Sequence, residues 1–210
     1  GMGISGNYAY LWNTSPAKTG QNINGLSASN QYQVTATDQS GCTGTATYVL
    51  AQPEEIKVQF NITPVQCAGI DNGSISISNI IGGDGNYTIL WDMNAGGSSS
   101  MAVSSLSAGN YGVTISDTKG CQSDTTILVT EPLPMQISIE NRINIRCFGE
   151  SNGSFSITTS GGTGAVGYSW NTNQVTAQLS NLPAGNYQVT ATDSRGCSGT
   201  SAVTLTQPDI

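Results

Sequence analysis

The sequence predicts an all-β chain of tandem antiparallel β-sandwich modules, and three observations carry that expectation. Trp12, Trp91 and Trp170 stand 79 residues apart, and Pro53, Pro132 and Pro208 follow at intervals of 79 and 76. Between these markers, apolar and polar residues alternate with a period of two, as in strands buried on one face. Only 9% of residues are charged, and 26 are glycine. Ser, Thr and Asn fill the remainder and compete with helical backbone hydrogen bonds. No stretch keeps a helical period.

The repetition sets the organisation. Val34-Thr-Ala-Thr-Asp-Gln-Ser-Gly-Cys42 returns as Val113-Thr-Ile-Ser-Asp-Thr-Lys-Gly-Cys121 and as Val189-Thr-Ala-Thr-Asp-Ser-Arg-Gly-Cys197. Cys67 and Cys147 are 80 residues apart. Two complete repeats are expected at 54–132 and 133–210, preceded by a truncated one at 1–53. The truncated repeat lacks everything equivalent to 54–82. It is therefore expected to expose a sheet edge and an apolar face, to be poorly ordered or to borrow pairing from a neighbour. The opening Gly1-Met2-Gly3 reads as an expression scar followed by a cut into a longer protein.

The second repeat illustrates the predicted strands in order. Ile56, Val58, Phe60 and Ile62 alternate along the first. Ile75 and Ile77 alternate with Ser74, Ser76 and Ser78 along the next, and Tyr87, Ile89 and Trp91 form a third. Tyr111, Val113 and Ile115, then Ile127 and Val129, form the last two. Gly82-Gly83-Asp84-Gly85 and Gly161-Gly162-Thr163-Gly164 read as loops, and Asn72-Gly73 and Asn152-Gly153 as turns. Two details narrow the class to Ig-like modules of fibronectin III or PKD form. Trp12, Trp91 and Trp170 fall where Ig domains place their core Trp. Tyr32, Tyr111 and Tyr187 open the penultimate strand as in a tyrosine corner. The first repeat carries one extra residue between Leu26 and Tyr32, so a looser corner is expected there. Val113 and Val189 replace the Cys of an antibody-type inter-sheet disulfide.

The five cysteines leave the pairing open. Cys67 with Cys121 and Cys147 with Cys197 would staple each repeat internally, each loop contributing about 4 kcal/mol in the chain-entropy model. In an Ig topology, however, those turns lie at opposite ends, too far apart to bridge. A bond between neighbouring repeats, such as Cys67 with Cys197, is the second arrangement, and free thiols, including Cys42, are the third. Periodic cysteines point to an oxidising compartment. Asp38, Asp117 and Asp193 precede Gly-Cys turns and read as turn chemistry, with Asp holding backbone amides.

Composition excludes several functions. The net charge is −7 and the six basic residues are scattered, so a nucleic-acid or anionic-membrane partner is not expected. No apolar run is long enough to span a membrane. The chain has no His, no Cys-x-x-Cys and no dense Asp cluster, so neither a zinc nor a calcium site is expected. Without His or a convincing carboxylate pair, no catalytic residue and no cofactor are expected. Triplets such as Asn61-Ile62-Thr63 and Asn86-Tyr87-Thr88 are frequent by composition and support glycosylation weakly.

The ordered combination of motifs resembles the SprB repeat. It runs Cys67 to Ser74, Gly82-Gly83, Tyr87 to Trp91, Leu106 to Tyr111, Asp117 to Cys121 and Glu131-Pro132. It runs again through Cys147 to Ser154, Gly161-Gly162, Trp170, Leu182 to Tyr187, Asp193 to Cys197 and Gln207-Pro208. Departures are small: Tyr168 stands only two residues before Trp170, and a Pro before the aromatic is missing. The resemblance implies repeats of very large, secreted surface proteins of gliding and surface-colonising bacteria, the name-giving member being a mobile adhesin. It carries no ligand residues, because its motif consists of fold-defining positions. The expected function is a non-catalytic stalk or adhesin segment at the cell surface, with surface polysaccharide or another cell-surface protein as candidate partner. A carbohydrate-binding module and an accessory domain of a secreted enzyme are the alternatives, and the oligomeric state is left open.

Overall fold

The computed structural model describes residues 6–28 and 30–209. The Gly1-Met2-Gly3 opening lies outside the described residues. The chain forms two compact units, Gly1–Glu55 and Ile56–Ile210. Every strand pairing is antiparallel.

Unit 1 holds one sheet of order β1-β2-β3, with β1 Ala9–Trp12, β2 Gln31–Thr37 and β3 Thr43–Val49. Among its described residues no strand corresponds to the first, second or fourth strand of the sandwiches below. Residues 21–27 form no strand, because their counterparts are strands only by pairing with a second strand that unit 1 lacks among those residues. The inner face is correspondingly uncovered. Tyr32 is the one buried side chain among the described residues of this unit, while Trp12, Val34 and Ala36 are half-buried.

Unit 2 contains two sandwiches of identical topology. The first comprises β4 Lys57–Thr63, β5 Gly73–Ile81, β6 Tyr87–Trp91, β7 Ala102–Leu106, β8 Gly109–Asp117 and β9 Gln122–Val129. Its sheets have the orders β4-β5-β7 and β6-β8-β9. The second comprises β10 Gln136–Ile143, β11 Gly153–Ser160, β12 Val166–Trp170, β13 Gln178–Leu182, β14 Gly185–Asp193 and β15 Ser198–Leu205. Its sheets are β10-β11-β13 and β12-β14-β15. In Ig terms these are A-B-E facing C-F-G. The chain is thus all-β with tandem Ig-like sandwiches, as its period-two patterning predicts.

Each sandwich closes over one apolar core drawn from both sheets. In the first, Ile75, Ile77, Val103 and Leu106 pack against Trp91, Tyr111, Val113, Ile115, Ile127 and Val129. In the second, Phe155, Ile157, Leu179 and Leu182 pack against Trp170, Tyr187, Val189, Val203 and Leu205. Phe155 adds tilted ring contacts to Trp170 and Tyr187, at centroid separations of 5.2 and 5.6 Å.

Three details depart from the sequence reading. First, β7 and β13 break the period of two, because Ser105 and Asn181 adopt left-handed φ of 57° and 56°. That extra residue places Val103 and Leu106, and likewise Leu179 and Leu182, inward at a spacing of three. Second, the β4–β5 pairing shifts register between Gln59 and Phe60. The added twist accompanies an outward Ile62, which is 47% exposed. Third, Gly73 and Gly153 are strand residues rather than turn residues. A Cβ on Gly73 would lie 2.8 Å from Val129 and 2.9 Å from the Leu106 carbonyl oxygen. Glycine is needed there for close approach, not for positive φ.

Candidate functional site: the junction between the two sandwiches

The junction is built from a tip on the first sandwich and a turn on the second. The tip links β4 to β5. Val65 is fully buried and its N–H donates to the Thr130 carbonyl at 2.9 Å, anchoring the tip where β9 ends. The Asn72 Oδ1 accepts from the Gln66 N–H at 2.9 Å, and the Glu131 carboxylate accepts from the Gly69 N–H at 2.7 Å. Gly69 has φ of 76°, the left-handed conformation that closes the bend. Cys67 is held between these anchors.

The turn lies between β14 and β15. Along β14, Tyr187, Val189 and Ala191 point inward, and Asp193 takes the next inward position at 6% exposure. A carboxylate so placed needs partners. Its Oδ1 accepts from the Arg195 and Cys197 N–H groups, each at 2.8 Å, and its Oδ2 accepts from the Thr163 N–H at 2.6 Å. One side chain therefore ties the Gly-Cys turn to the Gly-Gly loop. Burial pushes the Asp193 carboxyl up, but the backbone amides of Cys197, Thr163, Arg195 and Gly196 outweigh it and hold it below the usual carboxylate range. Asp117 repeats the arrangement toward Lys119, Cys121 and Asp84, and Asp38 toward Ser40 and Cys42.

Tip and turn meet in a disulfide. Cys67 is bonded to Cys197 with Cα atoms 5.4 Å apart, and the Gln66 side-chain amide donates to the Arg195 carbonyl at 2.7 Å. The internal pairing of Cys67 with Cys121 and Cys147 with Cys197 is overturned. Cys121 precedes one end of β9, whereas the tip is anchored to Thr130 at the other. An eight-residue strand rising about 3.3 Å per residue separates them by roughly 25 Å, and bridged Cα atoms must lie within about 7 Å. Cys42 and Cys147 are free and exposed, and Cys121 is free and half-buried. Burial first, and the Asp117 carboxylate second, push the Cys121 thiol up.

The aromatic positions sit away from this junction. Trp91 and Trp170 are 1% and 3% exposed. Each of the three Trp indoles donates to a carbonyl a few residues downstream: Trp12 to Gly20, Trp91 to Ser100 and Trp170 to Thr176, at 2.9–3.0 Å. Tyr111 and Tyr187 donate to the carbonyls of Ser107 and Pro183, four residues upstream, at 2.9 and 2.8 Å. Tyr32 makes the same bond to Ser27, five residues upstream, at 2.8 Å. The extra residue is taken up by the loop, so the corner expected to be loose keeps its hydrogen bond.

One recurring set is absent from the sequence reading. Asn13, Asp92 and Asn171 directly follow the three Trp residues, and each side chain accepts from the backbone N–H of Gln33, Gly112 or Gln188 on the neighbouring strand, at 2.8–3.0 Å. Their 79-residue spacing was the available signal. Among the described residues no group of three or more His, Cys, Asp or Glu side chains could hold a metal ion. No described helix is long and apolar enough to cross a membrane.

No curated protein matches the chain. Among solved structures, the N-terminal eight Ig domains of Down Syndrome Cell Adhesion Molecule match with a TM-score of 0.45 and 12% identity, over 96% of this chain and 33% of that one. Three N-terminal domains of the bacteriophage RB49 Highly Immunogenic Outer Capsid protein match with a TM-score of 0.43 and 11% identity, over 99% and 92%. The chain thus spans a third of the length of the first of these. The SprB repeat family matches residues 59–96 and 142–175, segments that run from the first strand of each sandwich past its core Trp. Two segments of this chain thus match the SprB repeat.

Proposed function

We propose that this chain is a non-catalytic, structural or adhesive repeat segment of a secreted cell-surface protein, acting as a stalk or adhesin module. In this reading 54–132 and 133–210 each act as one module, and 1–53 as part of one. The observation that carries it is the Cys67–Cys197 bond, which joins two sandwiches already joined by the chain. Two covalent connections at one junction resist bending and swivelling. The bond also reroutes tension. A pull between residues 56 and 209 enters along β4, crosses the disulfide and leaves along β15, so residues 68–196 bear none of it. Both cores lie largely within that shielded stretch. Disulfides persist in oxidising compartments, which supports an extracellular address.

Single-molecule pulling between the ends of unit 2 tests this. The oxidised protein should lengthen only by its short free ends, roughly 80 Å at about 3.5 Å per residue. The reduced protein should add about 450 Å in two similar events. Equal lengthening in both states, or a featureless trace, sinks the reading.

The partner at the working end would be a surface polysaccharide or another cell-surface protein. One observation favours a second reading, a carbohydrate-binding role. In unit 1, Trp12, Tyr32 and Tyr48 line a concavity of about 260 Å³, and Tyr48 is 67% exposed, as sugar stacking requires. A glycan array run with the wild-type chain and with Tyr48→Ala decides this: hits lost in the variant favour it, and no hits retire it.

A further inference from the structure

The two halves of the Cys67–Cys197 junction each occur elsewhere in the chain, preformed and unbonded. The Cys147 region reproduces the Cys67 tip. The Ile145 N–H donates to the Thr206 carbonyl at 3.0 Å, as Val65 does to Thr130. The Asn152 Oδ1 accepts from Arg146 at 3.2 Å, as Asn72 does from Gln66, and the Gln207 Oε1 accepts from Gly149 at 3.1 Å, as Glu131 does from Gly69. The Cys42 region reproduces the Cys197 turn. The Asp38 Oδ1 accepts from Ser40 and Cys42 at 2.8 and 2.9 Å, and Gly41 has φ of 86° against 87° at Gly196. Both thiols are exposed.

We propose that the Cys147 tip is a docking and disulfide site for the Cys42 turn of a second copy of this chain, repeating the Cys67–Cys197 junction head to tail. The residues beside the thiols select this pairing over the other free turn. At the observed junction Gln66 donates to the carbonyl of Arg195. In the Cys147 tip that donor is Arg146, so the facing residue must not be cationic. The Cys42 turn presents neutral Ser40 at the position of Arg195. The Cys121 turn presents Lys119, which would set like charges against each other. The raised Cys121 thiol also has less of the thiolate needed for exchange.

The bond forms by exchange with a low-molecular-weight disulfide, here oxidised glutathione. The Cys147 thiolate attacks one glutathione sulfur, giving a mixed disulfide and releasing one glutathione thiolate. The Cys42 thiolate of the second copy then attacks the Cys147 sulfur and releases the second glutathione. Two protein thiols are oxidised and one glutathione disulfide is reduced to two thiols, the protons lost by Cys147 and Cys42 being taken up by the two glutathione thiolates.

The test mixes ¹⁴N- and ¹⁵N-labelled whole chains, oxidises them with glutathione disulfide over a range of protein concentrations, and maps linked peptides by mass spectrometry. The expected result is a concentration-dependent ladder in which Cys147–Cys42 peptides are nearly all of the new links and, in an equal mixture, about half of them carry both labels. Cys147→Ser and Cys42→Ser should each abolish the ladder, Cys121→Ser should leave it intact, and Ser40→Lys should reduce it several-fold. Indiscriminate coupling of the two exposed thiols would place the Cys147–Cys42 pair at about half, alongside both symmetric links, and that result overturns the proposal. Cys147–Cys42 links that never carry both labels, dominant Cys147–Cys121 links, or glutathione adducts without dimers overturn it equally.

Discussion

Unit 1 and the first sandwich of unit 2 contain the same three-stranded sheet, and only one of them has a core. β1-β2-β3 and β6-β8-β9 share antiparallel order, Trp-to-Val register and indole hydrogen bond. Trp12 pairs with Val34 as Trp91 pairs with Val113. Yet Trp91 is 1% exposed and Trp12 is half-buried. The difference separates two kinds of information. Hydrogen-bonded geometry is written locally in the C-F-G sheet. Burial is supplied by the facing A-B-E sheet, whose Ile75, Ile77, Val103 and Leu106 close the first sandwich.

The largest test of this contrast removes the staple. With Cys67 and Cys197 both changed to Ser, unit 2 should lose up to about 5 kcal/mol, the chain-entropy value for a loop of this length. Urea unfolding followed by circular dichroism should show the unit 2 midpoint falling while unit 1 is unmoved. Next, Trp91→Ala should cost unit 2 about 3–5 kcal/mol, typical of a buried aromatic truncation. Trp12→Ala should cost unit 1 about 1 kcal/mol or less. Equal losses from the two Trp substitutions, read by the same titration, would show that unit 1 has a covered core after all.

A smaller contrast lies in the glycines. Gly73→Ala should cost about 1–3 kcal/mol by overpacking against Val129 and Leu106. Gly44→Ala, in a strand of unit 1 with nothing within 4 Å of the new methyl group, should be neutral or stabilise by up to about 1 kcal/mol. Differential scanning calorimetry distinguishes them. The smallest effect is a pH dependence. The Asp193 carboxyl is held below its ordinary value in the folded protein. Its contribution is therefore complete above the unfolded value of about 3.9 and fades as pH falls toward the lower folded value. Asp193→Asn should flatten that part of the stability profile between pH 5 and pH 2, measured by urea midpoints.

The sequence made the C-F-G sheets legible because their signals are local. Tyr111, Val113 and Ile115 alternate without interruption, and Trp, Tyr and Asp-x-x-Gly-Cys recur at one spacing. β7 and β13 were not legible, because a single left-handed residue in each, Ser105 and Asn181, turns the alternation into a spacing of three. Asn-Gly is a turn pair in sequence, so Gly73 and Gly153 read as turn residues, and only the approach of Val129 and Leu205 shows otherwise. The disulfide could be narrowed but not chosen. Topology argued against internal pairing, while the neighbour that supplies the partner is a three-dimensional fact.

The tip and the turn lie at opposite ends of each sandwich, the tip where the last strand leaves and the turn where the first strand enters. A gene encoding such repeats can therefore gain or lose whole copies by recombination between equivalent codons, and every tip that is followed by another copy still meets a turn. Removing part of a copy has no such immunity, since it orphans one cysteine at each scar.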